Sequence, residues 1–127
     1  MANTRMTVVV RKDLQMPEGL LAAQVSHITM EFIRRKIDDV NKKFELSKME
    51  LSWIKDPYIS VLAVECFDDL EFIVEHADRE NLPYSIWTDT IPSPTFPDRA
   101  IKTMVGCAIG PEDFDKIKVV TGSLKIY

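Results

Sequence analysis

The run Met6-Thr7-Val8-Val9-Val10 constrains this chain more than any other feature. Three successive valines leave no polar face, so the segment suits a strand covered on both sides, as in the parallel sheets of α/β proteins. Charge ends it abruptly at Arg11-Lys12-Asp13, and Pro17 and Gly19 mark a loop. The apolar period then becomes helical. Leu21, Val25, Ile28 and Phe32 share one face, flanked by Ala22 and Ile33, which predicts a helix over about 19–36. Arg34, Arg35 and Lys36 suit the negative end of its dipole. With 127 residues, 46% of them hydrophobic, one domain spanning 1–127 is expected, able to bury a core without disulfides or metals.

Further along, Ile37, Val40, Phe44, Met49, Leu51 and Trp53 suggest one more helix within 37–55, closed by Pro57. Strands are predicted near 6–10, 59–65, 84–88 and 103–109. Between the second and third lies a helix striped by Leu70, Ile73, Val74 and Ala77, with capping-box-like spacing at Asp68 and Glu71. Pro92, Pro94 and Pro97 predict a long exposed loop over 90–99. Gly110-Pro111 is expected to open a short helix, with Glu112 and Asp113 at its positive end, and Ser123 to Ile126 is a candidate edge strand. The order implies a three-layer α/β fold: a mixed, mainly parallel four-stranded sheet with helices on both faces. Ligands of such sheets sit outside the carboxyl ends of the strands. Here those ends supply Arg11-Lys12-Asp13 and Thr88-Asp89, together with the start of the first helix.

Charge is divided unevenly. Residues 1–55 hold ten Lys/Arg and seven Asp/Glu, +3, whereas 56–127 hold six and thirteen, −7. The overall −4 argues against a general nucleic-acid binder, and the split allows a locally basic face built from the N-terminal half. Cys66 and Cys107 lie in apolar stretches and read as buried thiols of a cytoplasmic protein. No secretory signal is expected, nor a membrane span, for which about 20 apolar residues are needed. His27 and His76 fall on different helices, and no zinc-ligand spacing, Gly-rich phosphate loop or Gly-x-Ser-x-Gly elbow occurs. No metal and no cofactor are therefore expected. Arg11 to His27 stands apart: a charged strand end runs through Gly19 into a helix rich in small residues. The unpaired N–H groups at such a helix start can bind an anion, and Gln24 and His27, three apart, share one face. Both side chains are equally compatible with satisfying backbone groups beside the core.

That stretch resembles the signature of the type 2 peptidyl-tRNA hydrolase family: an apolar strand, Arg11-Lys12-Asp13-Leu14, Met16, Gly19, then Ala22-Ala23-Gln24 and His27 in the first helix. The likeness continues at Trp53, at Ile59 to Val64, at Leu82-Pro83-Tyr84-Ser85 and at Asp89. It resumes at Ala108-Ile109-Gly110-Pro111 and closes with Val120-Thr121-Gly122-Ser123-Leu124-Lys125. Two departures mark a divergent member. Leu20 stands where the family carries a lysine, and Thr90-Ile91-Pro92 replaces the turn that follows the family's aspartate.

The resemblance implies metal-independent hydrolysis of the ester joining a peptide to tRNA, in the cytoplasm, with peptidyl-tRNA as partner, no membrane and no DNA. It is compatible with a homodimer. It assigns catalysis to Asp89, to Ser93 (Thr95 being the competing hydroxyl) and to Lys12 as the cation nearest in sequence to the missing lysine. Substrate binding falls to Gly19, Gln24, His27 and Thr95, while the charge split, not the resemblance, offers Arg11, Arg34 and Arg35 for tRNA binding. The alternative is a catalytically impaired RNA- or protein-binding module on the same fold.

Overall fold

A computed structural model describes residues 3–127. Strand β1 (Thr4–Arg11) ends in a single 3₁₀ turn, Lys12–Leu14, and helix α1 (Glu18–Lys36) follows. A two-residue-per-strand hairpin, β2 (Ile37–Asp38) and β3 (Lys43–Phe44), leads to α2 (Lys48–Lys55). Then come β4 (Ile59–Val64), α3 (Phe67–Arg79), β5 (Tyr84–Pro92), β6 (Ala100–Asp113), α4 (Phe114–Thr121) and β7 (Lys125–Ile126).

The main sheet runs β5-β6-β1-β4-β7. Val8, Val9 and Val10 are fully buried in its centre. Because side chains alternate along a strand, Met6, Val8 and Val10 pack with Ile28 and Phe32 of α1 and Trp53 of α2. Val9 faces the other way, onto Leu70 and Ile73 of α3 and Ile117 of α4. The α/β class, the mixed sheet and the two helical layers are as expected. The proportions differ: among the described residues only β1 and β4 pair in parallel, while β1/β6, β5/β6 and β4/β7 are antiparallel, and β7 makes five strands. The hairpin joining β5 to β6 and the return of the C-terminus beside β4 account for this.

Four local expectations are corrected. Residues 37–55 hold one two-turn helix rather than a longer one. The Asp38 carboxylate accepts N–H bonds from Val40 and Asn41 at 3.1 Å each, a turn that competes with helix. The capping box is at Ser47 and Glu50, opening α2. Helix α3 instead starts at Phe67, with Asp68 and Asp69 in its first turn and no side-chain cap. The exposed 90–99 loop shrinks to 93–99 because β5 and β6 stay paired as far as Pro92 and Ala100; β5 is an edge strand, where proline is tolerated. Gly110-Pro111 continues β6, since β1 begins early enough to pair Thr4 with Asp113, and Asp113 caps α4 by accepting the Asp115 N–H at 2.8 Å. Gly106 has a packing reason: a Cβ there would stand 2.5 Å from the Val9 carbonyl oxygen and 2.8 Å from Ile28 Cδ1. Cys107 is fully buried, its thiol pushed up to about 12 by desolvation, while Cys66 is only half-buried.

Candidate active site

Helix α1 runs antiparallel to β5 across one face of the sheet, so residues near its start meet the carboxyl end of that strand. Its inward stripe is rotated from the one expected. Gln24, Ile28, Glu31 and Phe32 are buried, whereas Leu21 and Val25 are only half-buried. The rotation buries the Gln24 amide, and buried polar groups need partners. Gln24 finds them on β5. Its Nε2 donates to Asp89 Oδ2 at 3.0 Å, and its Oε1 accepts from Trp87 Nε1 at 2.8 Å. An indole nitrogen only donates, so Trp87 fixes which end of the amide faces Asp89. The other carboxylate oxygen, Asp89 Oδ1, accepts the Thr90 N–H at 2.8 Å. One turn along α1, exposed His27 stacks on Trp87, with ring centroids 4.8 Å apart and planes 15° apart.

Both oxygens of a half-buried carboxylate are thus held in place. The Gln24 amide, then the Thr90 N–H, hold Asp89 below the usual carboxylate range. His27 and Trp87 add to this against a desolvation cost. An ionised, oriented carboxylate at a strand edge can accept a proton from water or position it. Near the helix start, Leu21 is the first residue whose N–H finds a backbone acceptor, the Pro17 carbonyl at 2.9 Å, and no side chain caps the end. The N–H groups of Gly19 and Leu20 therefore remain as donors. Gly19 is exposed and a Cβ there would meet nothing within 4 Å. Leu20 packs part-buried against the core.

Other expected residues are placed differently. Arg11 is internal: its guanidinium binds Asp13 through two bonds of 3.0 and 2.8 Å, Thr103 Oγ1 at 2.7 Å and the Met104 carbonyl at 3.1 Å. It ties the end of β1 to β6 and has no outward face for RNA. Lys12 lies over the Tyr127 ring, 5.2 Å from its centroid. Tyr127 follows β7 at one sheet edge, while Asp89 is on β5 at the other, so Lys12 does not join Asp89. Ser93 is buried, and its Oγ accepts the N–H groups of Thr95 at 3.3 Å and Phe96 at 3.1 Å, which organises the 93–99 turn. Thr95 itself is exposed. Arg34 and Arg35 are exposed at the far end of α1. Arg34 pairs with buried Glu31, and Arg35 donates to the Tyr84 carbonyl at 3.0 Å. An open groove of about 510 Å³ lies there, bounded by Arg35, Lys36, Glu50 and Pro83. Trp87 was missed from sequence. Its signal was present, because two residues before Asp89 on one strand is the same face.

The sequence profile of the peptidyl-tRNA hydrolase PTH2 family matches residues 4–127. The chain belongs to that family. A peptidyl-tRNA hydrolase of Sulfurisphaera tokodaii is 33% identical over 126 residues, covering 97% of this chain and 98% of that protein. One of Saccharolobus islandicus is 30% identical over 122 residues, covering 96% and 98%. A solved protein of unknown function from Agrobacterium tumefaciens strain C58 superimposes with a TM-score of 0.62 at 17% identity, covering 100% of this chain and 99% of its own, which shows a shared fold. As a family member the chain is placed among hydrolases, and the named relatives lend no support to the binding-module alternative. Among the described residues, no helix is long and apolar enough to cross a membrane.

Proposed function

We propose that this protein hydrolyses the ester of peptidyl-tRNA, releasing free tRNA and peptide. The observation that carries the reading is the Asp89 carboxylate, kept ionised and oriented by Gln24 and Thr90 at the open edge of the sheet, in a chain of this family. Asp89 takes a proton from water as the water oxygen attacks the ester carbonyl. The carbonyl oxygen becomes an oxyanion, which the Gly19 and Leu20 N–H groups at the start of α1 are suited to stabilise. Collapse breaks the bond to the ribose oxygen, which takes the proton from Asp89. The products are a carboxylic acid and an alcohol, so atoms and charge balance.

The tRNA body then extends along α1 toward Arg34 and Arg35. Arg34 stands ten residues beyond Gln24, about 15 Å along the helix, where phosphates would meet exposed guanidinium groups. Lys12 and Arg11 have no part in this arrangement, and Ser93 acts first as the anchor of its turn. The reading is tested by incubating the purified protein with peptidyl-tRNA and following release of the peptide. Release by the wild type and its loss in Asp89→Asn is the expected result. A folded wild type that binds the substrate and leaves the ester intact overturns it.

A further inference from the structure

The His27–Trp87 stack has one face to spare. Trp87 covers one side of the imidazole at 4.8 Å, yet His27 is exposed, so its opposite face and edge meet solvent. The neighbours on α1 that flank this face, four residues before and three after, are Ala23 and Met30, both exposed and neither charged. Ala23 is too small to cover the ring. Behind the platform, Trp87 is fixed by its bond to Gln24. The outer face is therefore flat, aromatic, accessible and rigidly backed.

Its position relative to Asp89 gives it meaning. Trp87 and Asp89 lie two residues apart on one strand face, about 7 Å along β5. In peptidyl-tRNA the reacting ester and the terminal base are carried by the same ribose, so a base beside a bound ester falls one sugar ring from the carboxylate. We propose that the exposed face of His27, backed by Trp87, is the stacking site for the base of the terminal nucleoside of the substrate. This rests on the hydrolase reading above and adds a recognition element to it. Stacking on aromatic rings is a general mode of holding unpaired bases and needs no groove. It selects for a free single-stranded end, and it leaves the peptide unread.

The test compares a CCA-ended tRNA with the same tRNA lacking only its terminal base, measuring binding of the deacylated forms to the full chain. The wild type should bind the intact end about 5- to 150-fold more tightly, the range of one base–aromatic stack. His27→Ala should bring that ratio near one, and His27→Tyr should restore it, since a ring rather than a charge is required. Circular dichroism checks that both variants are folded. A His27 ring-proton shift on adding CCA trinucleotide reports the contact directly. Equal wild-type affinity for both tRNAs overturns the proposal, as does a ratio that survives in His27→Ala. Equal affinity with hydrolysis still dependent on Asp89 removes the stacking site and leaves the hydrolase reading standing. A retained base preference without hydrolysis removes the hydrolase reading instead, and absence of any tRNA binding removes both.

Discussion

The two halves of α1 each bury one polar side chain on the same face and treat it in opposite ways. In the first half Gln24, neutral, takes both partners from β5, more than sixty residues away in sequence. In the second half Glu31, charged, is bound by Arg34 on its own helix, one turn ahead. The first arrangement fixes a carboxylate that faces open space. The second closes on itself and covers a charge at the helix surface. A buried polar group whose partners lie on another element is spending its hydrogen bonds on relative position, and here it positions the carboxylate proposed above as the general base. The halves also differ in cations: Arg34, Arg35 and Lys36 crowd one end, while Leu20 stands at the other.

Substitutions can break this contrast. Asp89→Asn should have the largest effect, lowering hydrolysis about 10²- to 10⁴-fold, the scale of a lost general base, with little change in thermal midpoint. Rapid-quench assays of peptide release check this. Placing a cation in the first half should erase the asymmetry of charge. Leu20 is half-buried, so in Leu20→Lys the stem can lie where Leu20 packs while the ammonium reaches solvent. Hydrolysis should rise by about 10² if that charge meets the developing oxyanion; an unchanged rate in a folded variant sinks that expectation.

Gln24→Leu sharpens the comparison from the other side. It removes the bond that does most to depress Asp89. A carboxylate with a lowered pKa stays ionised until the pH falls through that lowered value, so wild-type activity should hold down to below the ordinary aspartate range. In the variant the acid limb of the pH–rate profile should move upward, and the neutral-pH rate should drop about tenfold. An unmoved acid limb means Gln24 does not tune Asp89.

The second half should respond in affinity and stability instead. Arg34→Glu with Arg35→Glu should weaken tRNA binding about tenfold and flatten its salt dependence by about one to two in log–log slope, which filter binding at several salt concentrations measures. Glu31→Ala should be the mildest, costing about 1 kcal/mol because its partner is largely solvated, with the rate per folded molecule unchanged. If Glu31→Ala abolished hydrolysis, the division between the halves would be lost.

Much of this was legible in the chain. The valine run pointed to a doubly covered central strand, because a short β-branched run cut off by charge suits a strand buried on both faces. Period 3.6 then fixed α1, and the segment from Arg11 to His27 pointed to Gln24 and, with the later strand, to Asp89. Weaker local signals failed where two short-range options cost nearly the same. The Asp38 turn competed with helix, and strand pairing carried β5 as far as Pro92, leaving Pro94 and Pro97 in the loop. Sequence could not say how far α1 is rotated about its axis, and that rotation alone decides that Gln24 is buried and Val25 is not.

What the sequence determined by itself was which residue types exist to be used and the order in which strands and helices follow, since both are set by local sterics and apolar periodicity. Only the tertiary structure decided their company. Arg11 turned inward because the end of β1 needed tying to β6, Lys12 fell toward Tyr127, and Trp87, on the strand face of Asp89, became the residue that orients Gln24. Such pairings depend on which strand lies beside which. Those contacts span up to 93 residues, and the packing of the whole sheet selects them rather than any segment of it.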